Sequence, residues 1–126
     1  MGTDRQPESL AEAFAQVPRE LFLPEDERRF ASSNVALQIG DGQMHSQPST
    51  VADMLKLLGP RPGDRVLDLG SGSGWTSALL GVLVGPRGRV TGVERHRQLI
   101  ERARASLGHG HSGAGRDAAC RGHRIR

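Results

Sequence analysis

The fold of this chain is decided by residues 66–75, which read Val66-Leu67-Asp68-Leu69-Gly70-Ser71-Gly72-Ser73-Gly74-Trp75. An apolar strand runs into an acidic residue, then into three glycines at alternate positions, and then into an apolar helix face. Glycine has no Cβ, so the backbone there can turn tightly and lie close to a ligand. The helix that follows directs free N–H groups and its positive dipole end at the same place. We therefore predict a loop that binds a nucleotide-like cofactor.

The segments on both sides of this loop predict an open α/β sheet with parallel strands. Apolar residues recur at helical spacing in four segments, and in the remaining segments they form short runs that are typical of β-strands. The predicted elements in chain order are a helix over 8–16, an extended segment over 32–47, a helix over 48–58, a strand over 65–69, a helix from 75, a strand over 89–94 and a helix over 99–107. The order strand, glycine loop, helix, strand, helix is typical of a doubly wound sheet with right-handed crossovers.

The character of the sequence changes after residue 107. The last 19 residues hold five Gly, four Arg and three His, and Ile125 is their only branched aliphatic residue. A segment without apolar periodicity cannot bury a core face, so we predict that this tail is disordered. The chain is thereby divided into an N-terminal segment, a cofactor-binding unit and the tail, over residues 1–60, 61–107 and 108–126.

Charge and composition exclude several function classes. Residues 1–107 contain 13 Lys+Arg and 13 Asp+Glu, so the net charge of +3 comes from the tail and the folded part has no basic face for nucleic acid. No apolar run approaches the roughly 20 residues that span a bilayer, and the N-terminus does not resemble a signal peptide. A single cysteine, Cys120, excludes an internal disulfide. We expect a cytoplasmic protein with neither a membrane nor a nucleic-acid partner.

Four residues of the tail have spacings that a metal site could use. They are His109 with His111, and Cys120 with His123. Glycine- and arginine-rich low complexity explains this pattern better, so we expect no metal.

Two acidic residues narrow the choice of cofactor. Glu94 ends the second predicted strand, where a carboxylate can accept hydrogen bonds from both hydroxyls of a ribose. Asp68 suits a cationic sulfonium and an α-amino group better than it suits a pyrophosphate. Dinucleotide sites favour the spacing G-x-G-x-x-G, which this loop lacks. The loop resembles the first motif of S-adenosylmethionine-dependent methyltransferases; a nicotinamide cofactor is the alternative, and a glycine-rich turn without a ligand is the least favoured interpretation.

Upstream segments narrow the resemblance to one family. In order and spacing, residues 8–107 resemble protein-L-isoaspartate O-methyltransferases, above all in Gly42-Gln43-Met44-His45-Ser46-Gln47-Pro48. The resemblance implies the N-terminal part of a Rossmann-like methyltransferase fold with N-terminal helices, and places residues 1–60 on the substrate side. It further implies S-adenosyl-L-methionine-dependent methylation of the abnormal α-carboxylate of L-isoaspartyl residues in damaged proteins, which is a repair reaction.

The resemblance also implies roles for individual residues. Ser46 takes the position of the family's active-site serine, and the cofactor is held by Asp68, Gly70, Ser71, Gly72, Gly74 and Glu94. A substrate carboxylate is already ionised at neutral pH, and in-line displacement mainly requires positioning. We therefore expect Ser46 to orient the substrate rather than act as a nucleophile. Without the resemblance, Ser46 would be interpreted as the N-cap of the helix that starts at Pro48.

This chain departs from the family pattern in two places. Met44 and His45 replace a Thr and a branched apolar residue, so a related enzyme acting on another peptide carboxylate remains an alternative. After Leu107 the expected third strand, acidic turn and remaining sheet are missing, as in a truncated copy or an out-of-frame reading. We therefore expect an unpaired edge on strand 65–69, self-association through that edge, marginal stability and impaired catalysis. A non-catalytic binding or interaction fragment is the alternative function.

Overall fold

A computed structural model describes residues 5–109 and 123–126 of the chain. Within these residues helices and strands alternate along the chain, as the sequence predicts. The helices are α1 (Arg5–Gln16), α2 (Pro48–Leu58), α3 (Trp75–Val84) and α4 (Arg97–His109), and the strands are β1 (Leu37–Gly40), β2 (Gln43–His45), β3 (Arg65–Leu69), β4 (Arg89–Val93) and β5 (His123–Ile125). Two short 3₁₀ helices, Arg19–Phe22 and Glu25–Phe30, lie between α1 and β1.

The main sheet is parallel and has the strand order β3-β4-β5. Arg65 lies opposite Arg89, and Asp68 lies opposite Gly92, so that β3 and β4 end at the same edge of the sheet. Helix α3 connects these two strands, as the crossover of a parallel pair must. The mixed α/β fold predicted from the sequence is confirmed.

A small antiparallel hairpin of β1 and β2 precedes α2. Its turn has three consecutive residues with positive φ: Gly40 at 100°, Asp41 at 52° and Gly42 at 70°. Glycine adopts this conformation without strain and aspartate tolerates it, which explains the Gly-Asp-Gly sequence at this turn. Strand β2 leads directly into Ser46, one of the predicted site residues.

The core lies on one face of the main sheet. Val90 of β4 is buried against α3, which is apolar nearly all round and itself buried. The opposite face is open in the described part of the chain, where Leu67 is 59% exposed and Leu69 is 73% exposed. The described helices therefore cover only one side of the sheet, and exposed apolar side chains lie on its other side. None of the described helices is long and apolar enough to cross a membrane.

The end of the chain differs from the prediction of a disordered tail. His123–Ile125 form β5, which pairs with β4, and Ile125 is only 3% exposed. The packing is possible because Gly92 has no side chain: a Cβ there would lie 2.5 Å from Ile125 Cδ1. Arg104 also donates two hydrogen bonds to the carbonyl oxygen of Ile125, at 3.1 and 2.7 Å. The prediction is therefore wrong for these three residues, and a third strand is present; residues 110–122 lie outside the described residues.

Candidate cofactor and substrate site

The glycine loop connects the end of β3 to the start of α3, as predicted. Gly70, Gly72 and Gly74 have φ values of 71°, 54° and 88°. The N–H groups of Gly70 and Ser71 both donate to the carbonyl oxygen of Val93, at 2.7 and 3.1 Å, and tie the loop to the end of β4. Three successive left-handed glycines at alternate positions thus produce the tight turn that the sequence indicates.

The three glycines have different neighbours. A Cβ on Gly70 would meet no atom of residues 5–109 or 123–126 within 4 Å, so the backbone there faces open space in this part of the chain. A Cβ on Gly72 would lie 3.3 Å from Ile39 Cδ1, and one on Gly74 would lie 3.0 Å from Ala103 Cβ. Gly70 is therefore the position where a ligand can approach the backbone, whereas Gly74 is needed for the packing of α3 against α4.

Glu94 follows β4 and fixes the loop from the side. Its Oε1 accepts the N–H of Gly72 at 3.1 Å, and its Oε2 accepts the N–H and the Nδ1–H of His96 at 2.8 and 2.7 Å. Burial acts to raise the pKa of Glu94, but the hydrogen bonds from His96 and Gly72 outweigh burial and hold this pKa below its ordinary value. A carboxylate has about four acceptor positions, so one on Oε1 remains for a ligand.

Asp68 occupies the carboxyl end of β3, directly before the loop. Its Oδ2 accepts the hydroxyl of Ser77 on α3 at 2.7 Å. Burial raises the pKa of Asp68, and the hydrogen bond from Ser77 acts against that rise. The side chain therefore contacts the helix behind the loop.

Arg19 holds the segment that contains Ser46. This buried guanidinium donates to the carbonyl oxygens of Ser33, Val35 and Ser46, at 3.1, 2.6 and 3.1 Å, and its Nε donates to Nδ1 of His45 at 3.2 Å. Burial lowers the pKa of Arg19. Because one rigid fork binds three backbone carbonyls from two segments, Arg19 fixes where Ser46 lies.

Ser46 itself is exposed, and it is not the N-cap of α2. That position is taken by Gln47, which makes no side-chain capping bond, and Pro48 begins the helix. The N-cap interpretation of Ser46 is therefore wrong. His45, the preceding residue, is buried, so that the two neighbours face opposite sides as expected for extended backbone.

Ser46 and the glycine loop line one pocket of about 70 Å³. Two segments far apart in sequence therefore meet here, as the predicted site requires. Of the predicted site residues, the pocket wall includes Ser46, Gly70, Ser71 and Gly72. Glu94 supports this wall through its bond to Gly72, Asp68 contacts α3 through Ser77, and Gly74 precedes α3.

Sequence reasoning missed an aromatic and cationic cluster beneath the pocket. The rings of His45 and Trp75 lie 5.0 Å apart at 31°, and the Arg19 guanidinium carbon lies 5.8 Å from the Trp75 ring centre. Trp75 Nε1 donates to the carbonyl oxygen of Val17 at 2.9 Å. Burial and the charge of Arg19 lower the pKa of His45 to about 4, although a hydrogen bond with Ser46 acts to raise it. One feature of the sequence could have indicated the role of Arg19. It lies in a short apolar segment between Pro18 and Pro24, and a cation that is buried in such a segment needs partners.

The four tail residues weighed as metal ligands lie outside the described side chains. Within the described residues, no group of three or more His, Cys, Asp or Glu side chains could hold a metal ion.

Comparisons with known proteins agree with this geometry. The model of the protein-L-isoaspartate(D-aspartate) O-methyltransferase family matches residues 3–117. A protein-L-isoaspartate O-methyltransferase of Aeropyrum pernix is 53% identical over 98 residues, which make up 78% of this chain and 38% of that protein. The chain therefore spans well under half the length of this curated relative.

Two solved structures have the same fold. A protein-L-isoaspartate O-methyltransferase matches with a TM-score of 0.77 and 28% identity, covering 94% of this chain and 36% of that one. A Plasmodium falciparum protein described as a beta-aspartate methyltransferase, in complex with S-adenosyl-L-homocysteine, matches with a TM-score of 0.78 and 22% identity, covering 94% of this chain and 54% of that one. With a family model that matches nearly its whole length, the chain belongs to the protein-L-isoaspartate(D-aspartate) O-methyltransferase family.

Proposed function

We propose that this chain binds S-adenosyl-L-methionine and transfers a methyl group to the α-carboxylate of L-isoaspartyl residues in damaged proteins. The single observation that carries the proposal is that Ser46 and the glycine loop line the same pocket. The named activity of the relatives and the S-adenosyl-L-homocysteine bound to the Plasmodium protein support it. Because the chain spans only part of those proteins, activity of the chain itself is the point to test.

The residues around the loop fit such a cofactor. The backbone at Gly70 is open to a ligand, and Glu94 keeps one acceptor position for a ribose hydroxyl. The hydroxyl of Ser71 is buried and has no hydrogen-bond partner among the described residues. Asp68 adds negative charge before the loop, which favours a cation there. When bound, S-adenosyl-L-methionine supplies a methyl group on a positively charged sulfonium.

We assign Ser46 the role of orienting the substrate. The accepting carboxylate is ionised at neutral pH, so the chain needs to supply position rather than a strong base. His45 is not placed to act as a base for the Ser46 hydroxyl, because its Nδ1 lies 3.2 Å from Arg19 Nε and 3.3 Å from the Ser46 carbonyl oxygen, and its ring is turned towards Trp75. Arg19 holds Ser46 by a hydrogen bond to the backbone carbonyl oxygen of that serine. The exposed hydroxyl of Ser46 is thereby placed to donate a hydrogen bond to the substrate.

The direct test uses the full chain, labelled S-adenosyl-L-methionine and two peptides that differ only in an L-isoaspartyl or an ordinary aspartyl residue. We expect label in the isoaspartyl peptide alone. Ser46→Ala should lower kcat/KM about 10- to 100-fold, the effect of a lost hydrogen bond to a charged group, while the Kd for S-adenosyl-L-homocysteine stays unchanged. Ser32→Ala, at another exposed serine, is the matched control.

Cofactor binding without transfer to either peptide would contradict the proposed activity. Transfer to some other peptide carboxylate would instead favour the related-enzyme alternative that Met44 and His45 leave open.

A second candidate is a non-catalytic interaction fragment, favoured by the edge of β3. Within the described residues this strand pairs with β4 alone, and Leu67 and Leu69 are exposed on it. An unpaired apolar strand is a template for pairing with another chain. We propose that a second copy of the chain associates there.

We also propose a cytoplasmic location for the chain. This rests on the single cysteine of the sequence, which cannot form an internal disulfide.

A further inference from the structure

Met44 presents an exposed apolar side chain beside Ser46. It lies in the middle of β2, it is 53% exposed, and it lines the pocket that Ser46 and the glycine loop share. The family pattern has a threonine at this position, so the long thioether side chain is a feature of this chain. Methionine is unbranched and flexible, and it can therefore adapt to apolar groups of different shapes.

The backbone directs the side chains of Met44 and Ser46 to the same side. From residue 44 to residue 46 the chain is exposed, buried and exposed in turn, which is the alternation of an extended strand. The hairpin register agrees, because Met44 pairs with the exposed Gln38 and His45 pairs with the buried Leu37. Residues two apart in a strand are separated by about 7 Å, the span of two residues of an extended peptide. A substrate whose carboxylate is bound by Ser46 therefore brings a neighbouring side chain to Met44.

The surroundings of Met44 favour an apolar neighbour over a charged one. None of the described residues that line the pocket is Lys, Arg, Asp or Glu. A charged substrate side chain at this place would lose water without gaining a partner of opposite charge. An apolar side chain would instead remove apolar surface of Met44 from water, which is favourable.

We propose that Met44 determines which isoaspartyl peptides the chain prefers, by contacting an apolar side chain within two residues of the isoaspartyl residue. The inference rests on the proposed function, which brings the isoaspartyl carboxylate to Ser46. The contact lies away from the reacting atoms and is made equally before and during the transfer. It therefore lowers KM and leaves kcat unchanged.

The first measurement compares peptides on the full-length chain. The host peptide has alanine at the two positions on each side of the isoaspartyl residue, and four further peptides each carry one leucine at one of these positions. Fluorescence anisotropy gives the Kd of each labelled peptide with S-adenosyl-L-homocysteine present, and methyl transfer gives kcat and KM. At one or two positions leucine should lower the Kd and KM about 10-fold, as expected when part of a leucine side chain is buried. Glutamine, which is of similar size but polar, should give no such gain at these positions.

The second measurement repeats the comparison in variants. Met44→Thr should reduce the gain from leucine to less than about 2-fold, and Met44→Leu should retain the gain because it presents a similar apolar side chain. Met54→Thr is the matched control, since Met54 of α2 is 59% exposed and does not line the pocket. The ratio between two peptides in one protein is independent of the fraction that is folded, so a merely structural effect leaves it unchanged. The Kd for S-adenosyl-L-homocysteine should be the same in all four proteins.

The outcomes separate this inference from the proposed function. If no isoaspartyl peptide is bound or methylated, both fail. Selective binding without methyl transfer would support the inference and contradict the proposed activity. If peptides bind but leucine gives no gain, or the gain persists in Met44→Thr, only the inference is overturned.

Two further results decide the remaining cases. A weaker Kd for S-adenosyl-L-homocysteine in Met44→Thr would place Met44 against the cofactor and overturn the inference. Should Met44→Thr unfold, Met44→Gln keeps the length of the side chain and must lose the gain in its place; a gain that persists there overturns the inference as well.

Discussion

Gly70 and Gly74 lie four residues apart in one loop, yet their lack of a Cβ has different consequences. At Gly74 the missing side chain makes room for Ala103 of α4, and at Gly70 it leaves the backbone open to solvent. The glycine pattern alone predicts the turn, because only glycine adopts three left-handed conformations without strain. It does not say which glycine a ligand touches, since that depends on how α4 packs.

Gly70→Ala should therefore weaken cofactor binding more than it weakens the fold. A Cβ at positive φ costs about 1–2 kcal/mol, and no neighbouring atom adds a clash. We expect the Kd for S-adenosyl-L-homocysteine, measured by calorimetry, to rise at least about 10-fold because the methyl group occupies the space of the ligand. Gly63→Ala is the control: Gly63 has φ of 90° and open surroundings at the other end of β3. Equal Kd values in the two variants would show that the loop does not bind the cofactor.

His45 should make the stability of the protein depend on pH. Burial and Arg19 lower its pKa to about 4 from 6.5. Between pH 6.5 and pH 4 His45 is protonated in the unfolded chain but stays neutral in the folded chain. The contribution of His45 to the free energy of unfolding is therefore fully present above pH 6.5 and is lost as the pH falls towards 4. We expect a loss of about 2 kcal/mol between pH 7.5 and pH 5. Urea unfolding measures it, and His45→Asn should remove this part of the pH dependence; an identical slope in both proteins would contradict the assignment.

Among the elements, those with clear periodicity were predicted and β5 was not. Helices α2 and α3 and strands β3 and β4 each contain several apolar residues at regular spacing, which locates them within a residue or two. Strand β5 has one buried apolar residue, Ile125, and is held by pairing with β4 and by Arg104. Such tertiary contacts leave no local pattern. For the same reason the sequence indicated Ser46 through its motif but not the Arg19 and His45 contacts that hold it.

Ile125→Ala tests whether β5 is part of the fold. Truncation of this buried side chain should lower the free energy of unfolding by about 2–5 kcal/mol, as for other aliphatic core residues. Leu57→Ala is the matched control, because Leu57 of α2 is 88% exposed and its removal should change stability by less than about 0.5 kcal/mol. Chemical unfolding of both variants gives the comparison. A strand that does not contribute to the folded state would make the two changes equal.

For the whole molecule, the decisive feature is the uncovered side of the main sheet. The helices that the structure describes pack on one face only, whereas parallel sheets are normally covered on both. In the described residues Leu67, Leu69 and Val93 lie on the open face, and β3 has a free edge next to them. The pocket and the open surface are therefore different parts of the chain: the pocket lies at the carboxyl ends of the strands, and the open surface lies along β3.

Association through β3 should therefore be separable from cofactor binding. We expect sedimentation velocity to show a concentration-dependent shift from monomer to dimer, because an exposed apolar edge pairs readily with a second copy. Leu67→Lys and Leu69→Lys place charge on that edge and should shift the protein to monomer, since edge lysines block strand pairing. Both positions point away from the helix-covered core, so the fold and the Kd for S-adenosyl-L-homocysteine should be retained.

Leu57→Lys, on the exposed surface of α2, adds the same charge elsewhere and should leave the dimer intact. Dimerisation that persists in both β3 variants would place the interface elsewhere, and monomers at every concentration of the unsubstituted chain would remove the basis for the interaction-fragment candidate.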